Sequence, residues 1–214
     1  QRMGALIAPS EDTYLVDSMP LEICKFGRGK RLAICREAEE SSPDYGYCAV
    51  HRTHYFGYKF HAACTSEGIV KTFDISKASK HDIHYLNDLQ TQLSHCRLVG
   101  DKGYLSSQWQ HDLFDTAAIR LETPMRRNQL DSTPFNPVLR KARKRIETLF
   151  SQLCDQFMIR RNYAKSFQGL ATRVLSKLTV LPPVAQLRPE ACGMEWLKLD
   201  QPAPSLTTAT TSLE

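Results

Sequence analysis

The chain has 214 residues, 42% of them hydrophobic, with 28 Lys and Arg against 23 Asp and Glu, a formal net charge of +5. That length suits one domain with a sizeable core, and that composition excludes a disordered polyelectrolyte. No apolar run approaches the roughly 20 residues of a membrane span, so no membrane partner is expected. Seven cysteines, an odd number without a Cys-x-x-Cys pair, point with the lack of a signal peptide to a reduced cytoplasmic chain.

Residues 1–12 read as a linker or the remains of an upstream segment. Residues 13–19 predict a first strand, stopped by Pro20, and the apolar run Tyr14-Leu15-Val16 ends at Asp17. Residues 25–31 form a glycine-containing basic loop, whose Gly spacing does not fit a Walker phosphate loop. Residues 37–49 read as an irregular insertion. Tyr55 to Thr65 and Ile69 to Ile75 predict two strands joined by the turn Ser66-Glu67-Gly68. From His81 to Leu93, Ile83, Leu86, Leu89 and Leu93 recur at helical spacing.

Arg97 to Val99 predicts a short buried strand leading to Asp101, which opens the turn Lys102-Gly103-Tyr104. Ser107 to Thr116 predicts a helix, Ala118 to Thr123 a strand, and residues 126–133 a polar loop. The helix from Pro137 to Phe157 has Asn136 as N-cap, Pro137 at its first position and an apolar stripe through Leu139, Ile146, Leu149 and Leu153. Arg140, Arg143 and Glu147 share a neighbouring row. A second helix is predicted at about 166–180, and residues 200–214, rich in Pro, Ser and Thr, read as a tail. This order gives an α/β fold with a mixed sheet and helices on its faces.

Two carboxylates at strand ends and one on a basic helix are candidates to converge on divalent metal. Separately, Asp17 reads as a turn cap, Asp101 as a turn residue and Glu147 as a salt-bridge partner of Arg143. Their joint placement favours a site that cuts or joins phosphodiesters. The basic residues around Glu147 suit a polyanionic partner. Cys48, His51 and His54 lack an evident fourth zinc ligand.

Four segments carry a resemblance: Tyr14-Leu15-Val16-Asp17-Ser18, His54-Tyr55-Phe56-Gly57-Tyr58-Lys59, Val99-Gly100-Asp101-Lys102-Gly103-Tyr104, and Arg143-Lys144-Arg145-Ile146-Glu147-Thr148-Leu149-Phe150. In this order the chain resembles the DDE-type bacterial insertion-sequence transposases over about residues 13–180. The resemblance implies an RNase H-like catalytic domain built on a five-stranded mixed sheet flanked by helices. It implies Asp17, Asp101 and Glu147 as catalytic residues and as ligands of two Mg²⁺ or Mn²⁺ ions.

Transposon-end and target DNA are the expected partners, with a homodimer on DNA and a bacterial nucleoid location. Lys59, Lys102, Arg140, Arg143 and Lys144 are the expected DNA contacts, and His81 of the pair His81-Asp82 an expected supporting residue. In a related Tyr-x2-Arg-x3-Glu-x6-Lys signature, Arg143 and Glu147 match, while Arg140 stands at the Tyr position and Cys154 at the Lys position. Residues 1–12 are then expected to be the remnant of an N-terminal DNA-recognition segment, and 181–214 a diverged, disordered tail. The alternatives are an inactive DNA-binding remnant and an RNase H-like nuclease.

Overall fold

The computed structural model describes residues 13–125 and 134–181. The readings of residues 1–12, 126–133 and 182–214 lie outside these residues. The elements are β1 (Thr13–Lys25), β2 (Asp44–Cys48), β3 (Thr53–Thr65), β4 (Val70–Lys77), α1 (Tyr85–Gln92), β5 (Arg97–Val99), α2 (Ser107–Ala117), β6 (Arg120–Glu122), α3 (Pro137–Asp155) and α4 (Phe167–Val180). Short 3-10 segments occupy Phe26–Arg31, Asp82–His84 and Lys102–Tyr104.

Six strands form one mixed sheet in the order β2-β3-β1-β5-β6, with β4 also paired to β3. Residues 53–57 of β3 pair with β2 and residues 58–64 with β4, so these two strands lie end to end along one edge of β3. β1 runs antiparallel to β3 and parallel to β5, which is parallel to β6. This arrangement is compatible with an RNase H-like sheet, with β2 as an added strand.

The pleat divides the core. Leu15, Met19 and Leu21 of β1 join Phe60, Ile146, Leu149, Leu153, Leu170 and Val174 on the face covered by α3 and α4. Val16 points the other way, to Leu86, Leu89, Leu98, Tyr104, Leu113 and Ile119. Successive strand residues face opposite sides, and both Leu15 and Val16 are fully buried. β1 is therefore an interior strand with a helical layer on each side. Each such side chain contributes about 1.5–3 kcal/mol through burial.

The helix ends follow their local chemistry. Ser106 caps α2 at the Trp109 amide, and Ala118 closes it in the left-handed conformation, with φ of 53°. The Asn136 side chain accepts from the Val138 amide at the start of α3.

Three readings change. β1 continues through Pro20 to Lys25 rather than stopping at Pro20. Its β5 partners end at Leu15, so beyond that point one edge of β1 is open and proline's missing N–H is tolerated there. Residues 44–48 are a strand rather than irregular chain, because the polar sequence hides a hairpin whose other arm is β3. The stretch from His81 begins as a 3-10 turn and becomes α-helical only at Tyr85.

Candidate active site

The open edge of β1 is one wall of a cleft of about 590 Å³. β1 supplies Asp17, Ser18, Met19 and Pro20, and α3 supplies Arg143 and Glu147. Asp101 enters from the end of β5, Lys59 from β3 and Asp82 from the turn before α1. Tyr47, Cys48, Ala49 and Val50 of the β2–β3 hairpin complete the rim. The parallel pair β1 and β5 makes this convergence possible: both strands deliver a carboxylate just beyond their shared pairing.

Asp17 is the most confined of the three predicted carboxylates. The Ser18 amide donates to its Oδ1 at 2.8 Å, and Arg143 Nη2 lies 3.7 Å from its Oδ2. Burial still dominates and, with the nearby Asp101 and Asp82 charges, pushes the Asp17 carboxyl up to about 7. The Ser18 hydrogen bond and Arg143 oppose that rise without cancelling it.

Asp101 is an N-cap, its Oδ1 accepting from the Gly103 amide at 2.7 Å. Glu147 is the most open, with 58% of its side chain exposed, and its Oε1 lies 4.0 Å from Arg143 Nη2. Ile146, fully buried one residue earlier, fixes the rotation of α3 that places Glu147 on the cleft side.

Arg143 therefore reaches toward both Asp17 and Glu147 and supplies positive charge between them. Lys59, the β3 partner of Pro20, is pinned, its Nζ donating to the Lys80 carbonyl at 2.7 Å and to Asp82 Oδ1 at 3.0 Å. Of the other predicted DNA contacts, Lys102, Arg140 and Lys144 are exposed and do not line the cleft. His81 is exposed and caps the following turn, its Nδ1 accepting from the Ile83 amide at 3.3 Å.

Asp82, its neighbour, lines the cleft, whereas His81 is the member of the pair expected from the sequence to support the site. Tyr104 ends the segment Val99 to Tyr104, and nothing in the sequence assigns it a role. Its hydroxyl is buried, has no hydrogen-bond partner among the described residues, and is influenced by Asp82, Asp17 and Asp101. Nothing in the sequence singled out Tyr47, because its cleft position depends on the hidden hairpin.

Among the described residues no three His, Cys, Asp or Glu side chains are gathered as a metal cluster. The donor chemistry nevertheless fits a hard divalent cation. Asp17, Asp101 and Glu147 face one cleft together with Asp82, burial and then the acidic neighbours raise the Asp17 carboxyl, and a guanidinium supplies compensating charge. The Tyr104 hydroxyl adds a buried polar atom without a partner beside them.

Among known proteins, residues 8–181 match the family model described as a transposase DDE domain. No curated protein matches the chain. Among the described residues no helix is long and apolar enough to cross a membrane.

Proposed function

Because the chain belongs to the transposase DDE domain family, and so has a transposase function in general with DNA as its partner, we propose that it cleaves DNA strands and transfers them in transposition. The observation that carries this reading is the convergence of Asp17, Asp101 and Glu147 on one cleft at the edge of the sheet. In cleavage, a water oxygen attacks the scissile phosphorus and the 3′ oxygen leaves, giving a 3′-hydroxyl and a 5′-phosphate. In strand transfer, that 3′-hydroxyl attacks a target phosphodiester and displaces its 3′ oxygen.

Asp17, Asp101 and Glu147 would hold two Mg²⁺ or Mn²⁺ ions. When bound, these would supply an activated oxygen nucleophile and charge stabilisation at the leaving oxygen. The chain's own residues prepare the site. Ser18 orients Asp17, and the Gly103 amide orients Asp101. Lys59, fixed by Asp82 and the Lys80 carbonyl, sets a positive charge on the cleft wall where it meets a phosphate. Arg143 offsets the repulsion between Asp17 and Glu147 before DNA arrives. Exposed Lys102, Arg140 and Lys144 contact the DNA backbone outside the cleft.

The test is nicking of supercoiled plasmid with Mg²⁺ or Mn²⁺, then joining of a labelled 3′-hydroxyl end to target DNA. Asp17→Asn, Asp101→Asn and Glu147→Gln are each expected to lower both reactions by on the order of 10³-fold, the equivalent of several kcal/mol of lost charge stabilisation. Unchanged rates in the three variants overturn the assignment. A second reading, DNA binding without chemistry, has one observation in its favour: Arg143 already supplies a cation to Asp17 and Glu147. Retained DNA binding with no nicking in the unmodified chain supports it.

A further inference from the structure

Beside the cleft lies a row of aromatic rings that core packing does not require. Tyr47 of β2 faces His54 of β3, ring centroids 4.9 Å apart. His54 lies 5.5 Å from Phe26, in the 3-10 turn that follows β1. Phe26 meets Tyr45 at 5.0 Å, and Tyr45 meets Phe56 at 4.9 Å. The inner end of this row is structural, since Phe56 is buried. Its outer end is not: Phe26 is 48% exposed, Tyr47 52%, and His54 is also exposed.

Large exposed rings normally fold inward, because each carries much apolar area. Here the strand register holds them outward. Tyr47 pairs with His54 across the hairpin, and the 3-10 turn sets Phe26 at a tilt against His54 and edge-on to Tyr45.

Charge gives the row a direction. Phe26 sits among Lys25, Arg28, Lys30 and Arg31, all exposed, with no acidic residue between positions 25 and 31. Arg52, also exposed, lies in the hairpin turn two residues before His54. The acidic residues nearest in sequence are Glu22 on β1 and Glu37, Glu39 and Glu40 on the connection that leads into β2, which Asp44 opens. The row is also continuous with the cleft. Tyr47 belongs to both, and Ala49 and Val50 carry the cleft wall to the hairpin turn, where Val50 is 87% exposed.

We infer that Phe26, Tyr47 and His54 form a stacking platform for unpaired DNA bases next to the strand held in the cleft. Aromatic faces stack on any base, and surrounding Lys and Arg neutralise the backbone between successive stacked bases. A paired duplex conceals its base faces, so the platform selects DNA whose strands are separated beside the reacting phosphodiester. The inference deepens the DNA-processing reading and rests on it, and it gives the β2–β3 hairpin a role in choosing which DNA geometry enters the site.

The experiment compares a blunt duplex with a forked duplex carrying 2-aminopurine at its first unpaired position. Both bind the full chain in Ca²⁺ buffer, with affinity and 2-aminopurine fluorescence recorded. Forked DNA should bind about tenfold more tightly than blunt duplex, the worth of one or two stacked bases, and 2-aminopurine should be quenched. The double variant Phe26→Leu, His54→Ser, which leaves the cleft lining intact, should lose that preference and the quenching while keeping its affinity for blunt duplex, which also reports a folded protein. Tyr47→Trp should keep both, since stacking rather than the hydroxyl is at work.

Equal binding of forked and blunt DNA by the unmodified chain, or an undiminished preference in the double variant, overturns the platform and leaves the transposase reading standing. No binding to either DNA overturns both.

Discussion

Asp17 combines burial, a single amide donor and two acidic neighbours. Its carboxyl, ordinarily near 3.8, is raised to about 7. Without a cation, the folded chain keeps a proton that the unfolded chain releases near pH 4. The resulting stability is fully present below about pH 3.8 and is lost as pH rises through about 7. The melting temperature of the cation-free protein should therefore fall more steeply between pH 5 and 8 in the unmodified chain than in Asp17→Asn. Millimolar Mg²⁺ at pH 8 should restore it in the unmodified chain alone. Thermal melts across that range check both statements, and parallel curves for the two proteins speak against a strained Asp17.

The Lys59–Asp82 pair belongs to the same scale. With 17% of the Lys59 side chain and 26% of Asp82 exposed, it orients more than it stabilises. Asp82→Asn should free the Lys59 ammonium from one of its two anchors. The expected result is a several-fold lower nicking rate with an unchanged melting temperature, read from plasmid nicking beside a thermal melt. An unchanged rate removes Asp82 from the site.

At the scale of elements, the site depends on how β3 changes partners. Gly57 sits where β3 passes from β2 to β4, opposite the bulge in β1 between Glu22 and Cys24. A Cβ there would lie 2.2 Å from the Leu21 carbonyl oxygen, a backbone atom that cannot swing aside. Gly57→Ala should cost about 1–3 kcal/mol and lower the urea midpoint. A midpoint equal to that of the unmodified chain shows that the bulge tolerates a side chain.

α3 couples stability to the site in a different way. Ile146 is fully buried against the sheet and Glu147 follows it into the cleft. Ile146→Ala should cost about 2–5 kcal/mol, and nicking should fall further than the folded fraction accounts for.

This scale also shows what was readable in advance. The helical period and N-cap of α3 were plain in the sequence, as were the carboxylates ending two apolar runs and the alternation of strands and helices in the second half. Local signals sufficed there, because each run is bounded by a cap, a proline or a glycine. β2 was not readable, since its Tyr-Gly-Tyr core has neither a long apolar run nor a clean alternation, and only β3 makes it a strand. β1 beyond Pro20 was missed for a related reason: whether a proline ends a strand depends on whether its edge is paired. The cleft wall formed by Tyr47 to Val50 was invisible with it.

At the scale of the whole molecule, positive charge and the cleft lie on one continuous side of α3. Arg140 and Lys144 are exposed and share a row of α3 with Arg143, which enters the cleft. Removing Arg140 and Lys144 together should weaken DNA binding equally across sequences and reduce the salt slope by about one per contact. Nicking of saturated DNA should be preserved. A salt titration of DNA affinity tests this, and an unchanged slope places the backbone contacts elsewhere.

The central claim, that Asp17, Asp101 and Glu147 act together on divalent cations, is tested most directly by titrating the protein with Mn²⁺ and following free Mn²⁺ by electron paramagnetic resonance. The account predicts saturable binding at pH 8 that weakens as pH falls below about 7, as Asp17 takes up its proton. Binding should be lost in Asp17→Asn and Asp101→Asn, weakened in Glu147→Gln, and retained in Lys102→Ala. Equal Mn²⁺ binding by all five proteins contradicts it.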